Sequence, residues 1–284
     1  MDTEVESKIR VTLPEYIYNM ILNDEKDFEI NKNKLCNYIF EIYGEKIDFD
    51  EPYTKTKYNK LLQFNLTNDN KDIYADIASR YKIDNKAEYF RKTFFSYCDQ
   101  PKYKRELMIF EKSVSLINLA IKKGKKLKIK YKEEYRIIEP YFLINSDGET
   151  RNYISCYCDK NKEYRNYRLV NIKAISVMKE ENEQFNDEYI REIKENFDAF
   201  LSYGNKIKVK MNEEGQKHFQ KVIANRPKLL EQNGDVFTFE CSDLKAKLYF
   251  TQFLENAEII EPENLRKWFI EKFERVIQNY KKGV

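Results

Sequence analysis

Apolar and polar residues alternate at the start of the chain and then change to helical spacing. Residues 8–13 alternate strictly, with Ile9 and its apolar neighbours on one side, which predicts a half-buried strand. Pro14 suits the first turn of the helix that follows. Apolar residues then recur at helical spacing over 31–43, which predicts a second helix that Gly44 can end.

The same order of elements returns further along the chain. Apolar and polar positions alternate again over 61–67, and two more helical patterns follow, with Asp84 and Asn85 as natural N-caps of the second. A single strand–helix–helix unit cannot bury its apolar face alone, whereas two copies in one chain can pair through their strands. The repeat resembles the ribbon-helix-helix fold and predicts a pseudo-dimer within one chain.

This resemblance implies how the paired strands would be used. In that fold a two-stranded ribbon enters the DNA major groove, and its outward residues read base edges. The amides that start each second helix, near 31–33 and 84–86, would face phosphate. The same polar residues are equally consistent with an ordinary exposed strand face. The candidate DNA-reading residues are Lys8, Arg10, Thr12, Gln63, Asn65 and Thr67.

The middle of the chain changes from helical to strand patterning. Apolar residues at helical spacing predict one connecting helix over 102–123, with Gly124 as its cap. Its apolar stripe fits either packing against neighbouring domains or a dimer interface. Residues 125–178 form short runs rich in β-branched and aromatic residues, which favour a small, strongly bent sheet or barrel.

Three motifs in this strand region resemble the WYL domain family. That family shows an Arg shortly before a Pro-Tyr, then a Trp-Tyr-Leu strand, then an aromatic-Arg-Leu strand. Asn152 stands where the family has Trp, and Asn171 stands where it has a second Arg. The matching positions are Arg136, Pro140-Tyr141, Asn152-Tyr153-Ile154 and Tyr167-Arg168-Leu169.

The WYL resemblance implies an Sm-like β-barrel that binds nucleic acid or a nucleotide ligand. Arginine offers a planar fork of donors to phosphate, and tyrosine can stack on a base. A structural interpretation stays open, in which the tyrosines fill the barrel and Arg168 pairs with a carboxylate such as Glu139. The candidate ligand-binding residues are Arg136, Tyr141, Tyr153, Arg168, Lys128 and Lys130.

The remaining sequence mixes strand and helix patterns and resembles the C-terminal extension that often follows a WYL domain. The predicted fold class is α+β: a tandem ribbon-helix-helix pseudo-dimer, an Sm-like β-barrel of the WYL type and a C-terminal α/β cap. The predicted domains are ribbon-helix-helix unit 1 (1–48), unit 2 (49–100), a linker helix (101–124), the WYL barrel (125–182) and a C-terminal α/β extension (183–284).

Composition limits the classes of function. The net charge is only +3 over 284 residues, so a nucleic-acid site requires local clusters such as the lysine run at 122–132. That run equally fits a solvated surface. Five cysteines without a C-x-x-C pair predict reduced thiols in a cytoplasmic protein. One histidine and no phosphate-loop motif predict no catalytic residues, metal or cofactor, and no apolar run is long enough to cross a membrane.

Two functional interpretations fit the sequence. In the first, the chain is a transcription regulator whose WYL barrel binds a nucleotide or single-stranded nucleic acid. In the second, it is similar to the WYL accessory proteins of type VI-D CRISPR systems, which bind single-stranded RNA and support an RNA-guided nuclease. The runs RELMIFEKS and ANRP strengthen the second resemblance. A purely structural interaction module is a third class, and the family resemblance implies a homodimer.

Overall fold

The computed structural model describes residues 7–47, 59–145 and 151–282 of the chain. The first third contains two strand–helix–helix units, and their strands pair antiparallel with each other, as the repeat predicts. The inward apolar residues of both strands pack on the helices as one core. The elements are β1 (Lys8–Leu13), α1 (Glu15–Asp27), α2 (Lys32–Tyr43), β2 (Lys60–Asn65), α3 (Asn68–Arg80) and α4 (Lys86–Cys98).

The connecting segment differs from its prediction, because the single helix expected over 102–123 is two helices. They are α5 (Lys102–Ile109) and α6 (Glu111–Lys123), with a break at Phe110. Phe110 packs against both the ribbon core and the core of the following sheet, and its ring lies 6.1 Å from that of Phe28. The break therefore lets one apolar pattern serve two cores that face different directions.

A five-stranded antiparallel sheet follows, with the strand order β6-β5-β4-β3-β7. The edge strands β6 and β7 do not pair with each other within the described residues, so the sheet is open and the predicted closed barrel is wrong. Helix α6 covers one face of the sheet and α7 packs on the other. The faces of the sheet are therefore buried by helices and not by closure of the strands into a barrel. The strands are β3 (Lys125–Tyr131), β4 (Glu134–Asn145), β5 (Asn152–Cys158), β6 (Glu163–Arg168) and β7 (Ile172–Glu181).

The C-terminal part is a second α/β layer with its own core. Its four strands have the order β11-β8-β10-β9, and residues such as Phe239 and Phe253 pack beneath them. Together the three parts make an α+β fold with antiparallel sheets. The elements are α7 (Asp187–Glu195), β8 (Lys206–Met211), α8 (Glu213–Lys221), β9 (Lys228–Asn233), β10 (Val236–Glu240), α9 (Asp243–Phe250), β11 (Ala257–Glu261) and α10 (Glu263–Lys282).

Two surveys of the described residues complete this picture. None of their helices is both long and apolar enough to pass through a bilayer. They also contain no cluster of three or more His, Cys, Asp or Glu side chains arranged to hold a metal ion.

Candidate nucleic-acid interface

The pairing of β1 with β2 is symmetric about its central pair. Arg10 lies opposite Gln63, and each is the middle of the three outward positions on its strand. Lys8 lies opposite Asn65 at one end of the ribbon, and Thr12 lies opposite Leu61 at the other. The two strand–helix–helix units are therefore related by an approximate twofold axis through the centre of the ribbon.

Equivalent hydrogen bonds hold the two ends of the ribbon. Asn37 on α2 donates through Nδ2 to the carbonyl of Asn65 at 2.8 Å. At the equivalent position of α4, Arg91 donates through Nε to the carbonyl of Thr12 at 3.1 Å. A second Arg91 bond reaches Thr12 Oγ1 at 3.4 Å. These bonds fix the ribbon on the helices and repeat the twofold relation in polar contacts.

The outward face of the ribbon is open to solvent. Lys8 is half-buried, whereas Arg10, Thr12, Gln63 and Asn65 are exposed. Within the described residues, no carboxylate pairs with Lys8 or Arg10, and the side-chain amides of Gln63 and Asn65 have no hydrogen-bond partner. Five of the six predicted reading residues therefore lie together on one accessible surface.

Thr67 is the predicted reading residue that lies elsewhere. It follows the end of β2 and is the N-cap of α3, where its hydroxyl accepts from the amide of Asn70 at 3.2 Å. Its own amide donates to Asn37 Oδ1 at 2.9 Å. Thr67 is thus used to start a helix. The sixth outward position belongs to Leu61, whose side chain is 55% exposed.

The starts of the second helices are already partly occupied. At α2 the amide of Lys32 donates to Glu25, and that of Lys34 donates to the side chain of Asn31. At α4 the amide of Glu88 donates to the Asn85 side chain at 3.0 Å. Of the two predicted N-caps of α4, Asn85 is confirmed and Asp84 is not. Few free amides remain at either helix start to meet a phosphate.

A buried amide pair beneath the ribbon was not predicted from the sequence. Asn37 and Asn70 are both at most 2% exposed, and Asn70 Nδ2 donates to Asn37 Oδ1 at 2.9 Å. Buried polar groups are costly unless they are bonded, and these two satisfy each other and the ribbon end. Polar residues inside helical patterns give little sign of such a role, because most of them face water.

The WYL-motif arginines lie on opposite faces of the five-stranded sheet. Arg136 lies over the ring of Tyr167, with the guanidinium carbon 5.8 Å from the ring centroid. Tyr167 and Arg168 are neighbours in β6, which pairs with β5. Because successive residues of a strand point to opposite faces, Arg168 points away from Arg136. The two arginines among the candidate ligand-binding residues therefore do not share one site.

Arg136 lies at the partly open edge of the face that α6 covers. Its side chain is 19% exposed and bonds Glu134 Oε2 and Asn161 Oδ1, each at 3.0 Å. Its Nε is buried and has no hydrogen-bond partner within the described residues. This nitrogen is unbonded but buried, so a ligand would meet the exposed part of the guanidinium and not its Nε.

Arg168 lies at the junction between the sheet and the N-terminal helices. It is one of the charges near Glu106, a carboxyl whose pKa is raised above its usual range by burial. It also lies close enough to Asp27 to contribute to the lowered pKa of that carboxyl, which a hydrogen bond from Lys102 mainly causes. The predicted alternative partner, Glu139, pairs instead with Lys126 at 3.1 Å. Within the described residues Arg168 has no hydrogen bond or ion pair through its side chain, and its buried Nε is unbonded, as that of Arg136 is.

The tyrosines of the motif are covered. Tyr141 is 9% exposed and donates its hydroxyl hydrogen to the carbonyl of Gln184. Tyr153 is 6% exposed, with its ring 5.8 Å from that of Phe197. Both belong to the face over which α7 packs, so neither ring is free to stack on a base in this arrangement.

Lys128 and Lys130 lie on the uncovered part of that same face. Lys128 lies over the ring of Tyr135 at 5.1 Å, and Tyr135 is itself 62% exposed. Lys130 pairs with Glu133 at 3.1 Å. This lysine pair and its tyrosine form a small basic and aromatic surface, which the sequence indicated only through the lysines.

The residue in place of the family's Trp joins two parts of the molecule. Asn152 donates through Nδ2 to Glu106 Oε2 at 2.7 Å, and its backbone amide donates to the same oxygen. Arg105, which comes directly before Glu106 in α5, donates to both carboxylate oxygens of Asp24 in α1 at 2.6 and 3.0 Å. Helix α5 is therefore bonded to the sheet by one residue and to the ribbon unit by the next.

Comparison with known proteins agrees with the sheet motifs. Residues 112–177 match the family model described as "WYL domain". No curated protein matches the chain.

Two solved structures match the chain, and the first of them is similar in fold. One is a crystal structure of a CRISPR Cas-related protein, with a TM-score of 0.74 and 16% identity over 99% of this chain and 96% of that one. The other is the proteasome accessory factor B/C of Arthrobacter aurescens, with a TM-score of 0.31 and 13% identity over 84% of this chain and 34% of that one. The motifs, the sheet and the family match agree that residues 112–177 contain a WYL domain.

Proposed function

We propose that this WYL-domain protein is a nucleic-acid-binding regulatory protein whose ribbon binds duplex DNA, as a transcription regulator does. The observation that supports this most is the outward face of β1 and β2. Its lysine and arginine lack carboxylate partners within the described residues, and its two amide side chains are unbonded. Arginine and lysine pair with guanine in the major groove, and glutamine and asparagine pair with adenine. A major groove also admits a two-stranded ribbon.

The WYL sheet supports a second binding role in the same proposal. We expect it to take a nucleotide or a single-stranded nucleic acid. The guanidinium of Arg136 is partly exposed, and Lys128 with Tyr135 offers charge next to an exposed ring. Charge beside an exposed ring is the usual means of holding a single strand. The role is non-catalytic, in a cytoplasmic and homodimeric protein without a cofactor.

A second candidate function is a CRISPR-associated accessory role. In this alternative the protein binds single-stranded RNA and stimulates an RNA-guided nuclease. The fold likeness to a CRISPR Cas-related protein over nearly the whole chain favours it. The two candidates differ in their preferred nucleic acid, so a binding comparison separates them.

The test is a comparison of affinity for duplex DNA, single-stranded DNA and single-stranded RNA over a salt series. We expect tight, salt-dependent duplex binding that Arg10→Ala weakens at least about tenfold, since one base-reading pair contributes that much. Lys217→Ala, at an exposed pair with Glu214 on α8, is the matched control. A preference for single-stranded RNA that ignores Arg10→Ala would overturn the duplex role and support the accessory role.

A further inference from the structure

The two strands of the ribbon carry different side chains at equivalent positions. In chain order, β1 presents Lys8, Arg10 and Thr12, and β2 presents Leu61, Gln63 and Asn65. A pseudo-dimer made from one chain can thus differ between its halves. A symmetric homodimer of such units cannot, because both strands would then be identical.

The antiparallel register turns this difference into two unlike ends. At one end Lys8 lies opposite Asn65, so both side chains are polar and free to donate hydrogen bonds to base edges. At the other end Thr12 lies opposite the exposed Leu61, and the Thr12 hydroxyl already accepts from Arg91. The first end can read bases by hydrogen bonds, and the second offers mainly methyl groups.

The chemistry of each end selects different bases. Lysine and arginine pair with the O6 and N7 of guanine, and asparagine and glutamine pair bidentately with adenine. A leucine or a threonine methyl contacts the 5-methyl group of thymine. Bases opposite Lys8 and Asn65 would therefore be purines that accept hydrogen bonds, whereas a thymine would fit against Leu61.

We infer that a single protomer recognises a non-palindromic duplex DNA site, with guanine and adenine at its Lys8–Asn65 end and thymine at its Thr12–Leu61 end. This inference rests on the proposed duplex binding. Arg91 and Asn37 are positioning residues, because each holds one end of the ribbon by its backbone carbonyl. The specificity comes from the six outward side chains.

The test is selection of bound duplexes from a random library by the full chain and two symmetrised variants. The triple variant Leu61→Lys, Gln63→Arg, Asn65→Thr gives both strands the side chains of β1. The mirrored variant Lys8→Leu, Arg10→Gln, Thr12→Asn gives both strands those of β2. Lys8 is half-buried and the other substituted positions are exposed, so we expect both variants to fold. Thermal unfolding of each variant checks this.

We expect a non-palindromic motif for the wild type and a palindromic motif for each variant, rich in guanine for the first and in adenine and thymine for the second. Replacing the guanine that Arg10 reads should weaken wild-type binding about tenfold. Because the proposed homodimer can place two ribbons on one duplex, symmetry is judged within the site of one ribbon. A palindromic wild-type motif within that site, or one that the variants leave unchanged, overturns this inference and leaves duplex binding in place. Failure of the wild type to retain any duplex overturns the proposed function itself.

Discussion

The ribbon and the WYL sheet both carry arginine and lysine on β-strands, but they use these charges differently. In the ribbon, helices bury one face and leave the other open, so Arg10 has no carboxylate partner among the described residues. In the sheet, helices cover both faces in large part, so Arg136 is only 19% exposed and pairs with Glu134, and the Nε of Arg168 is buried. The two regions therefore differ in how far solvent, and hence a ligand, reaches their charged side chains.

Between the ribbon unit and the sheet, charged side chains are buried and bonded to one another. Arg105 and Asp24 are at most 8% exposed in their side chains and form a bidentate pair that Tyr97 completes through its hydroxyl at 2.7 Å. Glu106 and Asn152 form the matching contact to the sheet. These groups are satisfied by one another, and we assign them to holding the ribbon unit against the sheet.

Arg105→Ala should have the largest effect. It leaves the Asp24 carboxylate buried without its partner, and loss of one member of a buried pair costs about 3–5 kcal/mol of unfolding free energy. Urea unfolding followed by circular dichroism measures this. Arg10→Ala is the control and should stay within about 0.5 kcal/mol of wild type. Equal losses in both variants would contradict the division into structural and free charges.

Arg10→Ala should in turn have the larger effect on binding. Duplex affinity should fall at least about tenfold, because the base-reading fork is lost. Arg136→Ala removes an equally fork-shaped donor from the sheet and should leave duplex affinity unchanged. Fluorescence anisotropy with a labelled duplex measures both. A similar loss in the two variants would show that the duplex contacts the sheet rather than the ribbon alone.

Glu106→Gln should change how stability depends on pH. Burial raises the pKa of Glu106 above its usual 4.5 in the folded state, so the folded state binds this proton more tightly than the unfolded state. The stability that this proton contributes is full below pH 4.5 and is lost as pH rises through the folded-state pKa. As the pH rises through that pKa, the unfolding free energy of the wild type should therefore fall relative to that of Glu106→Gln. A constant difference between the two proteins from pH 4 to 8 would contradict this role.

Lys130→Ala should have the smallest effect. Its pair with Glu133 is largely exposed, and such pairs contribute about 0–1 kcal/mol. We expect no measurable loss of stability or of duplex affinity, and weaker binding of single-stranded nucleic acid, since the lysine lies on the same face as Tyr135. Unchanged single-strand binding would remove this surface from the proposal.

Local pattern was sufficient to predict the ribbon. Strict alternation around Ile9 and again around Phe64 determined which side chains face inward, and both are buried. Alternation alone could not show that Thr67 lies past the strand end, because threonine suits both a strand and an N-cap. It also gave no sign that Phe110 would break a helix, since that break satisfies two cores at once.

The sheet site was less predictable for a different reason. Matching motifs show which strands contain Arg136 and Arg168, but not which face each occupies. The face depends on the register of β5 with β6 and on where β4 bulges beside Pro140. The covering of Tyr141 depends on α7, which lies outside the motifs. Long-range contacts of this kind are not visible in short sequence patterns.

The central claim is that the open face of the ribbon enters the major groove of duplex DNA. Dimethyl sulfate protection on a bound duplex tests it directly, because guanine N7 lies in the major groove and adenine N3 in the minor groove. The account predicts that the protein protects guanine N7 and leaves adenine N3 reactive. It also predicts that Arg10→Ala, at a concentration that saturates the duplex, loses protection of the guanine that Arg10 reads. Protection confined to adenine N3, or unchanged protection of every guanine in Arg10→Ala, would contradict it.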